Sequence, residues 1–207
     1  MNNATYRHAI QICSVIILGA MLSACSTAAR IPHSPSPSFT REYPASLKVA
    51  EPGPQEVVVV VNDNIKMNHA GMFAGSFLLD PAGSYKSTRQ SQADWLGISL
   101  QDYIRFQLED GPDVQTYRFQ LSPDHFAAIK ARVDAAGGTM PLFCAAKVQN
   151  ILSGLAPFES VPNAWLVLPA TVAKHLDEVI AADQTVGSCN WPDGSSCYSE
   201  KWQSDAK

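Results

Sequence analysis

The chain has 207 residues, 46 % of them hydrophobic, with 15 Lys and Arg against 19 Asp and Glu. A formal charge of −4 and the absence of any basic stripe give no electrostatic footprint for nucleic acid, so that class of partner is excluded. The length is enough for one hydrophobic core and an additional non-core segment.

Residues 1–24 read as an export signal. Arg7 precedes an apolar run from Ala9 to Leu22, interrupted by Gln11, Ser14 and Gly19. The run is short for a bilayer span and leads into small residues, which marks a signal peptide and not a transmembrane helix. Cys25 follows directly. The tetrapeptide Leu22-Ser23-Ala24-Cys25 resembles the box recognised by the bacterial lipoprotein-processing machinery. That resemblance implies cleavage before Cys25 and acylation of its sulfur; the alternative is an ordinary secreted protein with a chance cysteine there. Each buried CH₂ of an acyl chain contributes about 0.8 kcal/mol, so several chains hold a protein on a membrane. By analogy with sorting in enteric bacteria, Ser26 in place of Asp after the anchor favours the periplasmic face of the outer membrane. Removal of residues 1–24 takes away only Arg7 and leaves a charge near −5.

Residues 25–54 hold the anchor cysteine followed by six of the fourteen prolines, many serines and no apolar period. This composition predicts an extended tether that lifts a domain off the membrane. Residues 55–183 alternate apolar blocks with turn signals and form the expected domain. Val57 to Val61 are five consecutive valines, a strand buried on both faces. Asn68–Ala74 and Phe77–Asp80 read as a hairpin around Gly75-Ser76. Ser99–Leu108 has helical spacing at Leu100, Tyr103, Ile104 and Leu108, with Ser99 and Asp102 placed for a capping box. Thr116–Leu121 alternates as a strand. Ser122-Pro123-Asp124 opens a helix that ends at Gly137-Gly138. Further helices are predicted over Leu142–Leu152 and Pro169–Ala181. Strands and helices do not alternate regularly, which predicts an α+β fold with a mostly antiparallel sheet. Residues 184–207 form a polar tail in which Cys189 and Cys197, eight positions apart, read as a disulfide. Its short loop is worth about 2–3 kcal/mol at most.

Five cysteines are present. Cys13 lies in the signal, Cys25 in the lipidation box, and Cys189 and Cys197 pair, so Cys144 is left over. An odd thiol in an exported protein signals an intermolecular bond or a reactive sulfur, while a buried structural cysteine is the third reading. Pro141 and the residues after Cys144 place the sulfur in the first turn of a helix, near unpaired N–H groups and the positive end of the dipole. Such surroundings lower a thiol pKa and raise the thiolate fraction. The same N–H groups could stabilise an oxyanion.

A base is needed beside it. His125 at a helix start and His175 among Lys174, Asp177 and Glu178 read as solvated surface. His69 lies within an apolar strand, where a polar group must be satisfied or used. With a two-residue turn at Gly75-Ser76, paired positions place His69, Gly71, Phe73, Leu78 and Asp80 on one face. His69 and Asp80 are then diagonal neighbours with open space at Gly71. A carboxylate there orients the imidazole and favours its charged form. Asp80-Pro81-Ala82-Gly83 is also a turn sequence in its own right.

Asn68-His69-Ala70-Gly71-Met72, Leu79-Asp80-Pro81-Ala82-Gly83-Ser84-Tyr85, Phe143-Cys144-Ala145-Ala146 and Leu168-Pro169-Ala170-Thr171 together resemble the circularly permuted members of the NlpC-like papain-fold superfamily. These include YaeF/YiiX-group lipoproteins and lecithin:retinol acyltransferase-like enzymes, and the pattern also resembles amidase toxins that cut peptidoglycan cross-links. The order His before Cys fits the permuted branch. The resemblance implies a papain-like fold with Cys144 as nucleophile, His69 as base and Asp80 as its orienting carboxylate. It also assigns the Cys144 N–H to an oxyanion hole and the activity to amide hydrolysis in peptidoglycan stem peptides. Asp80 stands where many relatives carry His, Asn or Glu. No metal or other cofactor is required by this chemistry, and no Cys/His cluster offers a metal site. Two other functions fit the same residues: a catalytically silent lipoprotein that binds wall peptide or a protein partner, and an acyltransferase or thioesterase acting on lipid.

Overall fold

The computed structural model describes residues 48–64, 67–83, 85, 97–187, 189 and 197–202. The chain divides into Met1–Thr40 and Arg41–Lys207, and every described residue belongs to the second unit. The predicted export signal, Cys13, Cys25 and most of the predicted tether lie outside the described residues. No helix among the described residues is long and apolar enough to cross a membrane.

Among the described residues, nine elements follow in chain order: β1 (Glu56–Asn64), β2 (Met67–Ala74), β3 (Phe77–Leu79), α1 (Leu100–Leu108), β4 (Val114–Gln120), α2 (Pro123–Asp134), α3 (Cys144–Leu152), α4 (Pro169–Val186) and β5 (Tyr198–Trp202). The strands form one antiparallel sheet of order β3-β2-β1-β4-β5, so the fold is α+β. A strand with branched apolar side chains on both faces requires cover on both sides. β1 meets that condition by taking the middle of the sheet, and Val57 to Val61 are each no more than 2 % exposed. Full burial of each valine contributes on the order of 1.5–3 kcal/mol over exposure.

Cross-strand pairing sorts the side chains by face. Val58, Val60 and Asn62 share one face with His69, Gly71, Phe73, Thr116 and Arg118; Val57, Val59 and Val61 share the other with Ala70, Met72, Tyr117 and Phe119. α1 covers the first face, where Tyr103 meets Phe73 with ring centroids 5.7 Å apart. α4 covers the second, over β1, and α3 lies against β2 and α4.

The hairpin has the expected register: Ala74 pairs with Phe77, Phe73 with Leu78 and Met72 with Leu79. Gly75 takes φ 57° in the two-residue turn, a conformation glycine adopts without steric cost. The ladder ends at Leu79, so residues 69–71 form an edge of β2 that β3 does not cover. Ser99 caps α1 by accepting from the Asp102 N–H, and Ser122 caps α2 by accepting from the His125 N–H.

The ordered domain is longer at both ends than its composition suggests. Val49 is in the core, and the Glu51 carboxylate accepts from the N–H groups of Leu100 and Gln101, a second cap on α1. At the other end α4 runs on to Val186 and β5 adds an edge strand beside β4. Cys189 and Cys197 are bonded as expected. Buried Asp183 fastens that loop, accepting from the N–H of Cys189 at 2.8 Å and of Cys197 at 3.3 Å.

Candidate active site

His69, Asp80 and Cys144 come together at the uncovered edge of β2. His69 is 4 % exposed and Asp80 is fully buried. The His69 Nε2 lies 2.7 Å from Asp80 Oδ1, the diagonal contact the hairpin register requires. Asp80 also opens the turn read from its sequence: the Gly83 N–H donates to its carbonyl at 2.9 Å. Its Oδ2 accepts from the Tyr85 N–H at 2.6 Å, which fixes the carboxylate in the orientation that holds the imidazole. The turn and the orienting contact coexist in one residue.

Cys144 is the first residue of α3, whose N-terminus has no side-chain cap. Its leading N–H groups therefore have no partner within the helix. The sulfur accepts from the N–H of Ala145, on its own helix, and from that of Ala70, on the free edge of β2; it also hydrogen-bonds the His69 ring. Because Nε2 is held by Asp80, Nδ1 is the ring nitrogen left for the sulfur. Burial pushes the Cys144 thiol up, but His69 and the two amides outweigh it, and the thiol lies below its ordinary value. Burial pulls the His69 imidazole down, but the hydrogen bonds to Asp80 and Cys144 and both charges raise it to about 9. The arrangement thus favours a thiolate beside an imidazolium.

The space beside Gly71 is not open, contrary to the expectation from sequence. Tyr103 of α1 fills it, with its hydroxyl 3.1 Å from His69 Nε2. A Cβ on Gly71 would stand 2.2 Å from that oxygen and 3.0 Å from the ring carbon bearing it, so glycine is required for the contact to exist. One turn on, Gln107 receives two hydrogen bonds from Asn62, the cross-strand neighbour of His69. Asp110, just beyond α1, adds negative charge toward His69; burial and Glu109 hold its own carboxyl above the usual range. Sequence spacing marked Tyr103 only as an apolar helix position, because its contact lies 34 residues away across the sheet.

Gly71→Ala is expected to destabilise the fold by about 1–3 kcal/mol, the usual cost of overpacking. Tyr103 cannot withdraw, since Phe73 and Tyr85 flank its ring at 5.7 and 5.6 Å. Tyr103→Phe removes only the hydroxyl and should cost much less. Urea midpoints at constant slope check the comparison.

Of the remaining histidines, His125 is exposed as expected. His175 departs from the expectation of a solvated residue: it is half-buried, with Nδ1 3.1 Å from Gln149 Oε1, and it joins α4 to the cysteine helix. A cleft of about 460 Å³ opens between α4 and the sheet, lined in part by Val61, Asp63, Lys174, Asp177 and Trp202; none of Cys144, His69 and Asp80 lines it. Among the described residues, the grouping suited to a metal ion is Asp183 with Cys189 and Cys197, and there the two sulfurs are bonded to each other. No family model, curated protein or solved structure matches the chain.

Proposed function

We propose that the chain is a lipid-anchored cysteine hydrolase of the permuted NlpC-like papain type that cleaves amide bonds in peptidoglycan stem peptides. Its anchor would be Cys25, on the periplasmic face of the outer membrane. The observation that carries the reading is a buried imidazole set between a carboxylate and a thiol at a helix start. The Cys144 thiolate adds to the amide carbon, forming a C–S bond while the carbonyl oxygen takes the negative charge. The free N–H of Cys144 at the head of α3 faces that charge. His69 hands its proton to the departing nitrogen as the C–N bond breaks, leaving a thioester. A water then gives its proton to His69 and adds to the thioester, and the sulfur leaves as thiolate. Asp80 keeps the ring oriented and favours its charged form throughout.

Two measurements test the reading. Iodoacetamide alkylation of Cys144 should rise with pH through a midpoint below that of a model thiol, because the folded thiol is lowered. The midpoint is the readout, since the residue is only 3 % exposed and the absolute rate also reflects access. A midpoint equal to that of the model thiol sinks the proposal. Hydrolysis should fall again above about pH 9, where His69 loses the proton it must donate. Digestion of purified peptidoglycan supplies the substrate test: new amino groups are expected. Release of fatty acid from lipid esters without new amines would assign the same site to acyl substrates.

A further inference from the structure

Among the described residues, large apolar side chains are exposed at two short segments, one just before Cys144 in the sequence and one packed against its neighbour Phe143. Met140 and Leu142 are 68 % and 80 % exposed and precede Cys144 by four and two residues. Trp165, Leu166 and Leu168, at 81 %, 53 % and 62 %, lie between α3 and α4. The segments touch, since Phe143 packs on Trp165 with ring centroids 5.7 Å apart. The second is fastened to the cysteine helix by two hydrogen bonds between Asn150 and Ala164, at 2.7 and 2.8 Å. No charged residue occurs between Asp134 and Lys147 or between Glu159 and Lys174. Leu142 adopts φ 76°, a left-handed conformation that is costly for a side chain branched like leucine. The strained backbone turns an apolar group outward where burial would ordinarily be favoured. An apolar surface of this kind marks an interaction site.

We propose that this rim is a membrane-docking surface that seats the thiol end of the domain on the phospholipid bilayer. The location of the bilayer rests on the anchor at Cys25; the chemistry of the thiol does not enter. The described chain begins 23 residues beyond that cysteine. A Pro-rich chain of that length, extended at about 3.1 Å per residue, would reach about 70 Å, against a domain radius of gyration of roughly 15 Å. A tether of that reach, held at Cys25, would let any face of the domain meet the membrane without a separate encounter from solution. Under that condition a few apolar side chains suffice for a populated docked state. Trp and Leu are suited to the interface, and an acylated chain of charge near −5 gains nothing from anionic headgroups.

The test uses the full acylated chain in vesicles of phosphatidylethanolamine and phosphatidylglycerol carrying brominated acyl chains. Tryptophan emission should be quenched by the bromines, the quenching should fall at least twofold in Trp165→Phe, and it should be the same in 0.1 and 0.5 M salt. Leu166→Asn should weaken the quenching of Trp165. Absence of quenching, or equal quenching in wild type and Trp165→Phe, overturns the proposal. Shielding of Trp165 from acrylamide without bromine quenching also overturns it, in favour of a protein partner. The alkylation profile of Cys144, recorded in the same vesicles, reports separately on the proposed hydrolase.

Discussion

Cys144→Ala should lower peptidoglycan digestion by at least about 10⁴-fold, the scale on which loss of a covalent nucleophile acts. The magnitude follows from the role proposed for the sulfur at the head of α3, as both the attacking atom and the acyl carrier. His69→Ala should be nearly as severe, because a neutral thiol without its base is a weak nucleophile. Residues that act as a unit are non-additive, so Cys144→Ala with His69→Ala should be no slower than either single variant. Muropeptide release measured on all three chains checks this. Digestion by Cys144→Ala equal to that of wild type would retire the hydrolase reading, as would additive losses.

The second large effect concerns stability and lies at the other end of the sheet. Arg118 and Glu56 are 2 % and 1 % exposed, with Nε 2.5 Å from Oε1 and Nη2 3.1 Å from Oε2. The guanidinium also donates to the carbonyls of Ala50 and Glu51. Arg118→Ala leaves the Glu56 carboxylate buried without its counter-charge, which costs about 3–5 kcal/mol. For a domain of this size that is a fall in Tm of roughly 6–20 °C. Replacing both partners, Glu56→Leu with Arg118→Met, removes both buried charges and should recover much of the loss. Thermal unfolding of the disulfide-intact chain distinguishes the two outcomes; a drop of less than about 1 kcal/mol in Arg118→Ala would mean that the pair contributes little.

What the sequence made legible was local in origin. The valine run announced a central strand, Ser99 and Ser122 announced helix starts, and the two-residue turn set the register that placed Asp80 beside His69. Cys144 was found by elimination among five cysteines, but its helix starts two residues later than Pro141 suggests: Leu142, expected to be helical, is left-handed at φ 76°, and α3 begins at Cys144 itself. What escaped was set by contacts across long stretches of chain. Tyr103 reaches His69 over 34 residues and Arg118 reaches Glu56 over 62, and neither pair leaves a local pattern. β5 was hidden for another reason: Tyr-Ser-Glu-Lys-Trp lies at the sheet edge, alternates between half-buried and exposed, and carries no apolar stripe. Residues 48–53 look like more tether by composition, yet Glu51 and the carbonyls of Ala50 and Glu51 are bonded into the domain.

Arg118 has one more neighbour. Its Nη1 lies 2.9 Å from the Ala50 carbonyl and 3.9 Å from Glu200 on β5, so the first and last described stretches of the domain meet at a single guanidinium. A chain whose ends adjoin can be joined there and cut elsewhere with its packing preserved. A linker from the end of β5 back to the segment at Ala50 would close this domain into a ring, and new ends could be opened in an exposed turn such as the one at Gly154. Connectivity and architecture are separable in this molecule: the order in which the strands and the cysteine helix are read along the chain is one choice among several that the same packed unit would accept.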